Sequence, residues 1–224
     1  MPLMESADNL TEKKLYALAQ KHPLTSCRQQ LLRSLIAYAS DSTICRNLYD
    51  IWDNAAHPLL NENDYMNMAY ELAIHYPHLQ KQIIARQAER ISNPDRKRQF
   101  EYISRATTPD TAEQRKLFKH LLKAENRRIE PWALKTLGYL CHHTREQQAV
   151  TYIAEAIDSL QYIQRTSDIF FPQSWTRTLL ADRRSEEAIH ALNTSLRKND
   201  DYNQLLKNKI LQAAWNLHRR AATH

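Results

Sequence analysis

The chain has 224 residues, 42% hydrophobic and 25% charged, with 31 Lys and Arg against 25 Asp and Glu for a net charge of +6. At that length a folded chain buries roughly 70% of its unfolded surface, and a composition near the globular average indicates neither disorder nor a membrane span. The single glycine, Gly138, excludes phosphate-cradling loops, dinucleotide turns, nucleophile elbows and type I′ hairpins, all of which need backbone at positive φ or close approach to a ligand.

Residues 1–8 are expected to be disordered; they lack the basic start and apolar run of a secretion signal, so none is expected, and no apolar stretch approaches the roughly 20 residues of a membrane span. The first helix start with a capping pattern is Ser26 with Gln29, followed by an apolar stripe at Leu31, Leu32, Leu35 and Ile36. Asn61, between Leu60 and Tyr65, predicts a capped start with a hydrophobic staple, and Tyr65, Met68, Ala69, Leu72 and Ala73 form its stripe. Asn93-Pro94 and Thr108-Pro109 each read as a boundary residue with proline in the first turn, because proline deeper in a helix costs about 3 kcal/mol. Leu117, Phe118, Leu121 and Leu122 make the next stripe, and Glu130-Pro131 the next start. Thr144 with Gln147 predicts a capping box opening a long helix from near Arg145, with a stripe at Val150, Ile153, Ala154, Ile157 and Leu160. Phe171-Pro172 starts another helix, and Leu205, Leu206, Ile210, Leu211 and Ala214 mark the last.

No segment reads as a strand. Starts near residues 25, 61, 94, 131 and 172 give a period of roughly 35 to 40 residues, in the range of helical repeats but without a repeated signature. The expected fold is all-α: an irregular HEAT-like α-solenoid of antiparallel helical hairpins, about twelve helices in one domain over 1–224.

Ten histidines invite a search for metal ligands, yet there is no HExxH. Pro77 separates His75 from His78, Glu71 and His75 at i, i+4 read as a surface polar pair, and His142-His143 as a helix boundary. Cys27, Cys45 and Cys141 offer no disulfide framework and no CxxC pair, and are expected to be reduced and mostly buried. No serine or cysteine stands in a strained turn beside a base and an orienting acid. The chain is therefore expected to hold no catalytic, metal or cofactor site.

The stretch 163–175 differs in kind, because it concentrates Arg165, Asp168, Phe170, Phe171 and Trp175 in one joint. Structurally, the aromatics would plug that joint while Asp168 caps a helix or pairs with Arg165. This stretch, together with Ile91-Ser92-Asn93-Pro94-Asp95-Arg96, Phe100-Glu101-Tyr102-Ile103, Glu130-Pro131-Trp132-Ala133-Leu134, Asp168-Ile169-Phe170-Phe171-Pro172 and Lys209-Ile210-Leu211-Gln212-Ala213-Ala214, resembles the C-terminal helical region of bacterial members of the aminopeptidase N family of zinc metallopeptidases. Ser167 departs from the pattern, standing where a glycine is expected before Asp168. The family's HExxH and its glycine-containing loop for the peptide N-terminus belong to a catalytic domain that this sequence does not include.

The resemblance implies a curved helical array that packs on the catalytic domain and walls off a cavity above a zinc held there. The implied partners are that catalytic domain and its peptide substrates, with neither nucleic acid nor membrane. Arg165 and Arg177 then become candidates to face the cavity and receive a peptide carboxylate, with Asp168 orienting Arg165. A different class of reading is a free-standing α-solenoid that binds another protein through its concave face, expected to be a soluble monomer with a largely polar surface. A third, a basic array gripping nucleic acid, draws on the +6 charge and on Arg96-Lys97-Arg98, which also read as a solvated helix face.

Overall fold

The structure is a computed structural model that describes residues 2–221; the side chains of residues 2–10, 218, 220 and 221 lie outside the description. The disorder expected over residues 1–8 thus concerns Met1, outside the described residues, and a stretch given only as backbone. The described residues form thirteen α-helices with short 3-10 turns between some of them, and no strand. One helix more than expected arises because Ser159 divides the long helix predicted from Arg145 into two.

The chain divides into two compact units, Met1–Glu101 and Tyr102–His224. The first contains α1 (Pro2–Lys21), α2 (Thr25–Tyr38), α3 (Ser42–Asn54), α4 (Glu62–His75), α5 (Gln80–Arg90) and most of α6 (Pro94–Ser104). Helix α1 packs on α2, α2 and α3 both pack on α4, and α4 packs on α5. Asn61 caps α4 as expected, and Asp64 completes a capping box by accepting from the Asn61 N–H at 3.0 Å. Buried Asp64 also receives Arg33 through two bonds of 2.8 and 3.0 Å, so one carboxylate both starts α4 and ties it to α2. The Ser26 capping box does not form: α2 already begins at Thr25, behind Leu24, with no side-chain cap.

Trp52, on α3, is buried and donates its indole N–H to the buried Gln87 at 2.7 Å. Arg90 lies over its ring and donates to the carbonyls of Trp52 and Asp53 at 2.8 and 2.7 Å, satisfying the C-terminal end of α3. There Ala55 adopts φ 49°, ψ 31°, a left-handed cap that glycine occupies without strain. Ala55→Gly is therefore expected to stabilise the chain by about 0.5–1 kcal/mol, read as a higher urea midpoint at unchanged slope. A lower midpoint would contradict the strain assigned to this cap.

The second unit contains α7 (Thr111–Leu121), α8 (Glu130–Leu140), α9 (Glu146–Asp158), α10 (Leu160–Thr166), α11 (Phe171–Leu180), α12 (Glu186–Lys198) and α13 (Gln204–Ala221). Two rows emerge from the packing: α8 contacts α11 and α11 contacts α13, while α9 contacts α12. Bonds across the rows recur at an offset of roughly one repeat, from Arg115 to Thr151, 36 residues apart, to Tyr202 and Ile157, 45 apart. The starts at Glu62, Pro94, Glu130 and Phe171 reproduce the spacing read from the sequence. Thr108-Pro109 lies just outside its helix instead, and Asp110 caps α7 through the N–H groups of Ala112 and Glu113. The Thr144 box is likewise replaced, because His142 accepts from the Thr144 N–H ahead of a short turn and α9 begins only at Glu146.

Two arginines, one buried and one half-buried, bind carbonyls at helix ends of this unit. Arg183 is fully buried and donates to the Cys141 carbonyl at 2.7 Å, at the end of α8. Its other terminal nitrogen lies 3.1 Å from Glu146, an ion pair without hydrogen-bond alignment. Arg145, from the turn before α9, donates to the carbonyls of Ala106, Thr107 and Thr108 at 2.7 to 3.0 Å. Each guanidinium satisfies carbonyls that a helix end leaves without an intrahelical partner.

Candidate functional site

Three of the segments that carry the resemblance, those at 130–134, 168–172 and 209–214, meet at one edge of the second unit. The turn before α8 (residues 127–130) runs beside the turn before α11 (residues 166–170). Arg127 donates to Ser167 Oγ at 2.5 Å and to Thr166 Oγ1 at 3.1 Å, and Glu130 Oε1 accepts from the Asp168 N–H at 2.7 Å. From α13, Lys209 Nζ reaches the Ile169 carbonyl at 2.9 Å. Three stretches far apart in sequence thus share one surface.

That surface is apolar and cationic. Ile129, Ile169, Phe170 and Leu205, each at the start of a helix of the same row, are 48%, 67%, 70% and 74% exposed, well beyond what a packed joint would leave in water. Arg128 and Arg165 are exposed and have no partner among the described residues. The nearby carboxylates are engaged by backbone: Glu130 accepts from the Asp168 N–H, and the exposed Asp168 accepts through Oδ1 from the Phe170 N–H at 2.9 Å. Beneath them Arg127 is 2% exposed, lies over the Phe171 ring at 5.6 Å and leaves its Nε without a partner. Burial depresses the pKa of Arg127, though a guanidinium remains charged across the accessible pH range.

Of the three residues singled out in the sequence, Arg165 lies at this edge, while Arg177 stands on the exposed face of α11 with no partner among the described residues. Asp168 does not orient Arg165. Its carboxylate caps the turn into α11, because the Phe170 N–H lies two residues on and needs an acceptor there. Phe171 and Trp175 do plug the joint, with ring centroids 5.8 Å apart, whereas Phe170 points into solvent. Sequence reasoning missed Arg127 and Arg128; the apolar Ile129 between two arginines and a proline-started helix was the available signal.

Among the described residues no three His, Cys, Asp or Glu side chains are placed to hold a metal ion. Cys45, Glu71 and His75 line a cavity of about 10 Å³ in the first unit, space for at most one water. Burial pushes the Cys45 thiol up to about 11 and that of Cys141 up to about 12, so both remain protonated and unreactive near neutral pH. The sequence matches no known family profile and no curated protein.

Proposed function

We propose that this chain is the non-catalytic helical part of a zinc-dependent aminopeptidase, packing on a catalytic domain and enclosing the cavity in which that domain's zinc cleaves peptides. The observation that carries the reading is the convergence of Glu130-Pro131-Trp132, Asp168-Ile169-Phe170-Phe171-Pro172 and Lys209-Ile210 on one edge, with Arg128 and Arg165 exposed and the Glu130 and Asp168 carboxylates engaged by backbone N–H groups. A peptide carboxylate needs a cation, and the apolar side chains of the same peptide need apolar contact; the edge offers both. Its exposed apolar residues also favour this reading over the free-standing module, whose surface was expected to be largely polar.

In this reading Arg165 receives the distal carboxylate of longer substrates, with Arg177 further along the same wall. Arg165→Ala in the complete enzyme should lower kcat/KM for longer peptides about tenfold, the loss of one charge-assisted hydrogen bond, and leave aminoacyl-amide substrates unchanged. Equal effects on both substrate classes would remove Arg165 from the cavity. This chain alone is expected neither to cleave peptides nor to bind stoichiometric zinc, and finding both would overturn the reading.

A further inference from the structure

The last two helices, α12 and α13, border an open groove of about 440 Å³ lined by Asn193, Leu196, Arg197, Asp200, Lys207 and Leu211. Lys207, Leu211 and Trp215 follow one another at four-residue spacing along one face of α13, and Leu211 and Trp215 are 49% and 67% exposed. Asp200 is already held by Lys207, whose Nζ lies 3.0 Å from Oδ1 and 2.6 Å from the Asp200 carbonyl. Arg197, exposed on the opposite wall, has no partner among the described residues. One guanidinium without a partner among the described residues therefore faces a mixed groove whose apolar lining is Leu196 and Leu211.

Repeat geometry narrows what fits there. The Lys198–Asp158 ion pair joins residues 40 apart, and the same offset sets Asn193, Leu196, Arg197 and Asp200 against Ile153, Ala156, Ile157 and Leu160, all fully buried. A further helix packing as those in the interior do would meet two charged residues where the interior has aliphatic ones. A second copy whose two-fold axis crosses this wall would bring two Arg197 guanidinium groups together, and a lipid surface calls for a cluster of cations rather than one. The remaining fit is a helix whose apolar stripe is flanked by acid.

We propose that the α12–α13 groove docks an amphipathic helix of a protein partner, its apolar residues on Leu196, Leu211 and Trp215 and a carboxylate on Arg197. The test uses two synthetic helical peptides of about 16 residues with identical leucine spacing, one flanked by Glu and one by Lys, titrated into the intact chain by fluorescence anisotropy. The Glu peptide is expected to bind roughly tenfold more tightly. Arg197→Ala should erase most of that preference, while Leu211→Ser with Trp215→Ser should abolish binding of both peptides without moving the thermal melt, since both residues are exposed. Equal affinity for the two peptides, or no binding by either at about 1 mM, would overturn the proposal. So would a dimer of the unaltered chain that Trp215→Ser dissociates, which would give the groove to a second copy.

Discussion

Trp175→Ala is expected to destabilise the chain by about 3–5 kcal/mol, enough to consume much of the roughly 5–15 kcal/mol that holds a domain together. The reason is position. Trp175 is fully buried on α11, the helix that contacts α8, α9, α10 and α13, so its removal leaves a void among several elements that cannot all close on it at once. Its indole N–H has no partner, which makes the tryptophan a compromise between filling space and burying an unsatisfied donor. Trp175→Phe removes that donor along with some volume, and should cost less than half as much as alanine. Urea unfolding of the two variants checks both statements. An alanine cost below about 1 kcal/mol would mean that α11 is not the centre of the second unit.

The features legible in the sequence were those governed by backbone chemistry. Pro94, Pro131 and Pro172 fall in first turns because proline is tolerated there and almost nowhere else in a helix, and Asn61 caps α4 because its side chain can take an orphaned N–H. Which face of a helix meets its neighbours depends on the neighbour, and the stripes were correspondingly less secure. Ala154 is exposed while Ala149, Tyr152 and Ala156 are buried, so the inward face of α9 is rotated from the expected one. Leu205 and Leu211, expected in the core, face solvent, while Leu206, Ile210, Ala214 and Leu217 form a single narrow buried line. The candidate edge was half visible for the same reason. Its residues were recognised in 163–175, but the partners that shape it lie about 40 residues away in the turn before α8 and on α13.

Buried arginines were invisible because nothing local marks them. Arg183 sits in the polar run Asp182-Arg183-Arg184-Ser185, which reads as a solvated turn, yet it is drawn inside by the carbonyl end of α8 and by Glu146. Arg127 sits between Asn126 and Arg128 and is drawn in by two hydroxyls, one of them Ser167. Ser167 is also the position that departs from the resembled family's pattern. A glycine there would supply no hydroxyl, so in this chain the serine does structural work by holding a buried cation under the cation-rich edge.

Acid should unfold the chain earlier than its carboxylates alone would dictate, because His142 and His143 are held neutral. Their rings lie 4.0 Å apart, and His142 is 6% exposed with Nδ1 accepting from the Thr144 N–H at 3.3 Å. Burial is the main force bringing both pKa values down to about 4, with Arg145 and Arg183 adding to it at His142, and His142, Arg184 and Arg183 at His143; Asp182 opposes both shifts. Each folded value lies below the ordinary imidazole value of 6.5, so between roughly pH 6.5 and 4 the unfolded chain binds more protons than the folded one. Stability is therefore complete above that window and lost as pH falls through it, by about 3 kcal/mol for His142 alone. The replacement His142→Asn keeps an acceptor for the Thr144 N–H, and paired with His143→Gln it removes both titrations. His57 and His120 are also depressed by burial, so the difference between double variant and parent is the quantity to read. Urea midpoints of the parent should fall steeply from pH 6.5 to 5 while those of the double variant stay nearly level; parallel slopes would show that these imidazoles do not hold the joint between α8 and α9 closed.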